Sequence, residues 1–215
     1  MHFRRPTVWS SNKTKVFLSI IFVAAISVSA PLFAYDLATD KVLYTVGTAH
    51  LDTQWRWTIQ DTINTHIKNT LDDNFSRFAN YPHYTFSFEG AFRYMLMKEY
   101  YASRYVQLKN YINQGRWAVA GSTLENGDTN IIAPESLIRQ ALIGNNFFDD
   151  GFSKRRTDIF LPDGFGFSYT MPTWMSHCGL NGFSTQKLSW GSAVPVPFDI
   201  GRWQGPDGSS IVAAL

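Results

Sequence analysis

The sequence predicts an α/β fold in which mostly parallel strands are covered by helices. Short apolar runs rich in β-branched and aromatic residues alternate with longer segments whose apolar residues recur every three or four positions. Repeated strand–helix–strand units of this kind form parallel sheets with helices on their faces. The sequence lacks a Gly-x-Gly-x-x-Gly loop after the strands, which disfavours a dinucleotide-binding fold. We therefore expect a barrel, and one that continues beyond Leu215.

The elements of the first half are predicted in chain order. A β-branched run at Lys41–Val46 is typical of a strand and ends at a glycine. Helical spacing then connects six apolar residues: Ile59, Ile63, Ile67, Leu71, Phe75 and Phe78. Asn80-Tyr81-Pro82 is expected to end this helix. A strand, two helices and another strand should follow at Tyr84–Phe88, Ala91–Tyr100, Tyr105–Gln114 and Trp117–Ala120.

The second half continues the alternation and ends in a hairpin. Pro134 should open a helix that extends to about Phe148, with Arg139 and Gln140 facing outwards. A strand, a helix and the start of another strand are predicted at Thr157–Leu161, Met171–Cys178 and Gly182–Thr185. The two apolar runs Asp199–Trp203 and Ile211–Ala214 flank Gly-Pro-Asp-Gly and predict a β-hairpin.

The first 34 residues resemble a leader. Residues 1–15 carry Arg4, Arg5, Lys13 and Lys15 without an acid, and the apolar stretch 16–34 follows. This pattern is typical of a secretory signal peptide cleaved after Ala34, with an uncleaved membrane anchor as the alternative. We therefore expect a signal peptide at 1–34, a domain portion at 35–215, and export to the periplasm or the extracellular space. Cleavage would leave no stable membrane association.

Composition excludes several classes of protein. Of the 215 residues, 45% are hydrophobic, which provides enough apolar mass for a core and excludes a disordered chain. The net charge is +2, and removing the four basic residues of the leader from 19 leaves 15 against 17 acids, a net of −2. We therefore expect no nucleic-acid partner. The single cysteine, Cys178, allows no intramolecular disulfide. The aromatic fraction of 16% suits a core and also sugar-binding clefts.

The first strand is followed by a candidate metal-binding pair, His50 and Asp52. Residues two apart in extended backbone project to the same face, so the imidazole and the carboxylate should converge. Nitrogen with carboxylate oxygen is ordinary zinc ligation, although this donor set also accepts other divalent metals. The alternative is structural, with His50 and Asp52 capping the helix that follows.

A second candidate site residue, Asp163, lies directly after the predicted strand at Thr157–Leu161. Pro162 precedes it, and Gly164 and Gly166 follow. Pro-Asp-Gly is also a common turn sequence, so one interpretation is a turn. The other is a carboxylate delivered to the same end of the sheet as His50, where the strand ends of α/β barrels carry their chemistry.

Four segments, in order, resemble a known family. They are HLDTQWRW (50–57), AGSTLENGDTNIIAPESLIRQ (120–140), FLPDGFGFSYTMP (160–172) and GFSTQKLSWG (182–191). Together they resemble the N-terminal catalytic domain of glycoside hydrolase family 38, the α-mannosidases, most closely the secreted bacterial members. The resemblance covers about residues 41–215. It implies a retaining, exo-acting enzyme on a (β/α)7 barrel, of which this chain would be the N-terminal part, with one Zn2+ ion and mannose-containing glycans as substrates.

The resemblance also implies roles for individual residues. His50 and Asp52 would be the first two zinc ligands, and Asp163 would be both the third ligand and the nucleophile. The substrate pocket would contain Trp55, Phe165 and Lys187. In this family the acid/base and a fourth ligand, a histidine, come from later in the barrel. We therefore expect this chain to hold part of a site, to bind zinc weakly and to be inactive by itself.

Three other functions remain open from the sequence. A metal-dependent carbohydrate deacetylase would need a further His pair at metal spacing, which the sequence does not show. A non-catalytic sugar-binding module could use the aromatic residues but would not need His50, Asp52 and Asp163 together. An inactive truncated remnant would keep the motifs without the activity. The sequence does not indicate linkage preference or oligomeric state.

Overall fold

The computed structural model describes Asp36, residues 38–188 and residues 196–215. It divides into two compact units, Met1–Tyr44 and Thr45–Leu215. In the first unit the described residues include a turn in which the backbone amides of Thr39 and Asp40 donate to the carbonyl of Asp36. The leader predicted for residues 1–34 lies outside the described residues and stays a prediction. Among the residues described, no helix is long and apolar enough to cross a membrane.

The second unit alternates strands and helices, as the sequence predicts. Its first half contains β1 (Gly47–Ala49), α1 (Ile59–Asp61), a π-helical segment (Thr62–Ile67), α2 (Lys68–Asn80), β2 (Phe86–Glu89), α3 (Ala91–Tyr100), α4 (Ala102–Asn113) and β3 (Trp117–Ala120). Its second half contains α5 (Pro134–Phe152), β4 (Asp158–Phe160), α6 (Met171–His177), β5 (Gly182–Ser184), β6 (Ile200–Gln204) and β7 (Ser210–Ala214).

The strands form two sheets. The first has the order β1-β2-β3, and both pairings are parallel, with Ala49 opposite Phe88 and Glu89 opposite Ala120. The second has the order β4-β5-β7-β6, and only the β6–β7 hairpin is antiparallel. The amide of Gly121, just after β3, donates to Asp158 Oδ2 at the start of β4 (3.2 Å). This mixed α/β arrangement with parallel sheets confirms the predicted fold class, while the complete (β/α)7 barrel stays a prediction.

The prediction of the first strand was wrong. The strand is Gly47–Ala49 rather than Lys41–Val46, and the side chain of Val46 is 57% exposed. Small residues suit the observed position because a Cβ on Gly47 would lie 2.7 Å from the Tyr84 hydroxyl oxygen. The strand therefore begins at the glycine that follows the predicted run, and β-propensity alone did not decide its position.

The helices follow their predicted stripes. In the helical stretch from Ile59 to Asn80, five of the six stripe residues are buried: Ile63, Ile67, Leu71, Phe75 and Phe78. Thr58 caps the first turn because its hydroxyl accepts from the Asp61 amide while Asp61 accepts from the Thr58 amide. The helix at Pro134 runs to Phe152, four residues beyond the predicted end, and Ser153 ends it in the left-handed conformation.

Two hydrophobic clusters support the sheets. The larger lies between the first sheet and helices α2–α5, and Trp117 is at its centre. Trp117 Nε1 donates to the Tyr94 hydroxyl (2.9 Å), which donates to the carbonyl of Phe88 (2.8 Å), so the buried polar groups are satisfied. Burial raises the pKa of Tyr94 far above its ordinary value, which keeps this phenol neutral. The smaller cluster packs α6 against the second sheet around Ile159, Met171 and Phe183.

Candidate functional site

Three ionisable side chains from two strand ends converge. His50 and Asp52 follow β1, and Asp163 follows β4. His50 Nε2 lies 3.2 Å from Asp52 Oδ1 and 3.7 Å from Asp163 Oδ2. One ligand atom from each residue lies within 4.8 Å of those of the other two. The structure therefore brings together the three residues that the sequence analysis named as metal ligands.

The cluster is partly open to solvent. The side chains of His50, Asp52 and Asp163 are 20%, 37% and 28% exposed, respectively. Asp52 also lines a cleft together with Gln54 and Asn126. A small molecule can thus reach the carboxylates without displacing the core, as a substrate or an exchanging metal ion would require.

The second ring nitrogen of His50 contacts a buried acid. Its Nδ1 lies 2.9 Å from Glu89 Oε1, and Glu89 at the end of β2 is fully buried. Burial alone would lower the pKa of His50, but the hydrogen bond and charge of Glu89 and the charge of Asp52 outweigh it, so the pKa is raised. The imidazole is thus contacted by carboxylates on both of its nitrogen atoms.

Asp163 is also contacted by a cation. Lys187 Nζ lies 2.5 Å from Asp163 Oδ1, and the Lys187 side chain is only 11% exposed. The same ammonium group lies 5.2 Å from the centre of the Phe165 ring. The structure therefore places Lys187 and Phe165 beside the predicted nucleophile, and Phe165 is 77% exposed.

Trp55 lies on the loop that carries His50 and Asp52. Its side chain is 63% exposed, the guanidinium of Arg56 lies 4.5 Å from its ring centre, and Trp57 packs edge-on at 5.8 Å. An exposed indole offers a stacking surface to a ligand.

The remaining described histidines lie outside the cluster. His66 packs against the Trp57 ring at 4.7 Å, His83 is exposed in a turn, and His177 faces Asp207 at 3.4 Å. The acids of the middle motif also have structural partners. Glu125 Oε2 lies 2.9 Å from Arg93, and exposed Glu135 pairs with Arg139 at the start of α5. Each of the two acids therefore already has an arginine partner.

Sequence reasoning missed Glu89 and Arg93. Both are almost fully buried, and Arg93 connects Glu89 with Glu125. One sequence signal could have identified Glu89. This acid is the last residue of an apolar strand and directly precedes a glycine, and Asp163, which follows β4, also directly precedes a glycine. Gly90 has a φ of 80°, a conformation that favours glycine, and a Cβ there would collide with the Arg93 guanidinium.

The donor set fits a divalent metal. One imidazole nitrogen and two carboxylates are ligands that zinc accepts, and His50 presents Nε2 to both acids while Nδ1 contacts Glu89. Without a cation, two carboxylates this close to one imidazole depend on its protonation and on Lys187 for charge balance. The fold and this cluster define the class: an α/β protein with a candidate metal site at its strand ends.

The chain belongs to glycoside hydrolase family 38. Residues 41–215 match the family model described as "Glycosyl hydrolases family 38 N-terminal domain". The chain is 34% identical over 170 residues to Alpha-mannosidase G of Dictyostelium discoideum, covering 79% of this chain and 16% of that protein. It is 30% identical over 174 residues to Alpha-mannosidase 2C1 of Homo sapiens, covering 81% and 17%. The chain thus spans about a sixth of the length of these relatives.

Solved structures agree on the fold. An alpha-mannosidase from Enterococcus faecalis V583 superposes with a TM-score of 0.70 at 20% identity, covering 79% of this chain and 19% of that one. A 4-alpha-glucanotransferase from Thermococcus litoralis superposes with a TM-score of 0.58 at 8% identity, covering 79% and 26%. At these identities the likeness supports the architecture and does not by itself indicate an activity.

Proposed function

We propose that this chain carries the N-terminal part of a retaining, zinc-dependent α-mannosidase that removes terminal α-mannose from glycans. The observation that carries the proposal is the convergence of His50, Asp52 and Asp163 from the ends of two strands. Family membership and the names of the relatives support glycoside hydrolysis as the reaction class and mannosides as the substrate class.

In this proposal Asp163 attacks the anomeric carbon. Its two oxygens have different neighbours, because Oδ2 faces His50 and Oδ1 contacts the ammonium of Lys187. The carboxylate is the nucleophilic form of this side chain. In a retaining glycosidase the glycosidic bond breaks as the covalent glycosyl ester forms, and a second carboxyl group about 5–5.5 Å away protonates the leaving oxygen. The same group then takes a proton from the water that hydrolyses the ester.

We assign no acid/base among the described residues. Glu125 is paired with Arg93 and hydrogen-bonded to the Thr53 hydroxyl, so both of its oxygens already have partners. Glu135 is exposed at the start of α5, where it pairs with Arg139. These structural partners argue against either residue as the second carboxyl group. The proposal therefore places the acid/base, and a fourth metal ligand, outside the described residues.

His50, Asp52 and Asp163 would hold the metal ion. Bound zinc would supply a Lewis acid for sugar hydroxyl groups. Phe165 and Trp55 are exposed aromatic side chains on the two loops that carry the ligands, so each can offer a ring face to a sugar. The proposal includes the remaining expectations from the sequence: a (β/α)7 barrel, export to the periplasm or outside the cell, and a chain that is inactive alone.

Zinc binding tests the part of the site that this chain carries. Equilibrium dialysis of the metal-free chain should show one Zn2+ per chain, bound weakly, and His50→Ala or Asp163→Asn should reduce the affinity at least about tenfold. Arg139→Ala is the matched control, because its exposed pair with Glu135 lies on α5. A chain that binds no zinc, or binds it equally well without Asp163, contradicts the proposal.

Sugar selectivity tests the proposed reaction and substrate class. An enzyme that contains this segment should hydrolyse an activated aryl α-mannoside and should not hydrolyse the matching α-glucoside or α-galactoside. Stoichiometric zinc without hydrolysis would favour the truncated remnant. Mannose binding that is independent of both zinc and Asp163 would favour a non-catalytic sugar-binding module.

A further inference from the structure

Glu89 is a buried acid beside the candidate zinc site but is not one of its three proposed ligands. It ends β2, the neighbour of β1, and its register partner in β3 is Ala120. Its side chain is fully buried, yet Oε1 reaches His50 Nδ1 at 2.9 Å. A buried carboxylate is costly to desolvate, so a structure that keeps one needs compensating contacts. His50 provides the first of these.

Arg93 provides the second contact. Its Nη1 lies 3.3 Å from Glu89 Oε2, and the guanidinium is 1% exposed. The same guanidinium donates from Nε to the carbonyl of Leu51 (2.6 Å) and from Nη1 to Glu125 (2.9 Å). Leu51 lies between His50 and Asp52 in the chain. One buried arginine therefore forms an ion pair with Glu89 and a hydrogen bond with the backbone of the ligand loop.

We propose that Glu89, held by Arg93, is a positioning residue that fixes the ring and the tautomer of His50. Both ring nitrogens face carboxylates, which only accept hydrogen bonds, but a neutral imidazole has one ring hydrogen to give. Glu89 is fully buried and lies 2.9 Å from Nδ1, whereas Asp52 is partly solvated and lies 3.2 Å from Nε2, so the hydrogen belongs on Nδ1 and the lone pair on Nε2. Nε2 is the atom that faces Asp52 and Asp163. The role in metal binding rests on the proposed function, whereas the tautomer can be measured without metal.

Asn126 is the other group at Nδ1. Its Nδ2 lies 3.2 Å from His50 Nδ1, and its Oδ1 is buried without a hydrogen-bond partner. Amide oxygen and nitrogen are distinguished only by their hydrogen bonds. In the observed orientation Nδ2 would donate to an unprotonated Nδ1, whereas the amide turned by half a rotation would accept from a protonated Nδ1, so the shorter contact with the charged Glu89 decides between the two tautomers.

A purely structural role for Glu89 makes a different prediction. If Glu89 only neutralises Arg93, its loss lowers stability without changing His50. The variant Glu89→Met keeps side-chain length and removes both acceptors, and Glu89→Gln keeps an acceptor oxygen and removes the charge. Asn145→Leu is the control for stability, because buried Asn145 donates to and accepts from the backbone of Arg156 on the second half of the chain.

The test is nitrogen-15 NMR of histidine-labelled, metal-free full chain at about pH 9, where an imidazole is neutral. Resonances of His50 are assigned with His50→Gln. We expect the Nδ1-protonated tautomer in the wild type, in Asn145→Leu and largely in Glu89→Gln, and a shift towards the Nε2-protonated tautomer in Glu89→Met. An Nε2-protonated wild type, or a tautomer unchanged in Glu89→Met, overturns the proposal. If Glu89→Met does not fold, the wild-type tautomer and the Glu89→Gln spectrum decide.

Zinc affinity gives the second readout. We expect Glu89→Met to weaken zinc binding about 10- to 100-fold and Glu89→Gln to weaken it less, with no change in Asn145→Leu. Equal affinity in wild type and Glu89→Met overturns the positioning role while the proposed function stands. A wild type that has the Nδ1-protonated tautomer but binds no zinc contradicts the proposed function, and the positioning of His50 by Glu89 stands.

Discussion

The carboxylate of Asp163 lies between the ammonium group of Lys187 and the imidazole of His50. Lys187 Nζ contacts Oδ1 at 2.5 Å, while Oδ2 lies 3.7 Å from His50 Nε2. An ammonium group and a divalent metal would therefore share one carboxylate. Their like charges repel each other, so Lys187 should weaken metal binding.

Replacing Lys187 tests this competition. Lys187→Met should raise zinc affinity by at least about fivefold, or roughly 1 kcal/mol, because two unit charges about 4 Å apart repel each other by about that much even in bulk water. Lys187→Arg keeps the charge and should stay close to the wild type. Isothermal titration with Zn2+ at low ionic strength measures both, and weaker binding in Lys187→Met would show that Lys187 supports the metal site instead.

Asp163 and Trp55 should differ sharply in catalysis. Asp163→Asn removes the proposed nucleophile and should reduce kcat by more than about 10³-fold. Trp55→Ala removes one exposed stacking surface, which is worth about 1 kcal/mol, and should mainly raise KM. Both variants are compared in an enzyme that contains this segment, with an activated aryl α-mannoside as substrate. Turnover retained in Asp163→Asn would sink the assignment of the nucleophile.

The predicted site residues could be found because strand ends have local signals. His50 and Asp52 directly follow β1, and Asp163 follows β4 behind a proline. Parallel strands bring such positions to one edge of the fold, so residues over 100 positions apart could be matched from the chain alone. The strand at Trp117–Ala120 could also be predicted from the sequence, and the observed bounds of β3 equal the predicted ones.

Glu89 and Arg93 could not be recognised in the same way. Their importance depends on which side chains meet in the interior, where Arg93 contacts Leu51 from 42 positions away. β1 was misplaced for a related reason, because β-propensity favours Lys41–Val46 whereas the pairing with β2 falls on Gly47–Ala49. Tertiary packing, which a single sequence does not display, decided both.

Arg93 should be essential for stability. Arg93→Met leaves Glu89 and Glu125 without their buried cation and should lower the free energy of unfolding by about 3–5 kcal/mol. Arg139→Met removes an exposed pair with Glu135 and should cost at most about 1 kcal/mol. Urea unfolding followed by tryptophan fluorescence measures the difference. Equal losses in the two variants would mean that burial of Arg93 does not matter.

Gly144 allows α5 to approach the segment after β3. A Cβ at this position would collide with the carbonyl oxygen of Ser122 and lie 2.6 Å from the carbonyl carbon of Thr123. Gly144→Ala should therefore destabilise the chain by about 1–3 kcal/mol through overpacking. Gly151→Ala on the same helix meets only the Tyr105 hydroxyl oxygen, at 3.3 Å, and should be nearly neutral because alanine favours helix. Thermal unfolding of both variants provides the comparison.

The turn between β6 and β7 should make stability depend on acid pH. Asp207 accepts hydrogen bonds from the Thr173 hydroxyl on α6 (2.7 Å) and the Ser209 hydroxyl (2.8 Å). These bonds, with the Ser209 amide and His177, lower the pKa of Asp207 below its ordinary value of 3.8. A carboxyl group whose pKa is lower in the folded state stabilises that state fully above its unfolded pKa, and loses this contribution as pH falls through the folded value.

Asp207→Asn should therefore destabilise the chain at pH 7 and have less effect as the pH falls below about 4, where the unfolded aspartate becomes protonated. Thr173→Val removes the largest cause of the lowered pKa while leaving the carboxylate in place, so it should show the same pH trend with a smaller amplitude. Thermal melting between pH 2 and pH 7 measures the difference from the wild type for each variant. A difference that is constant across this range would mean that Asp207 acts through the shape of the turn and not through its charge.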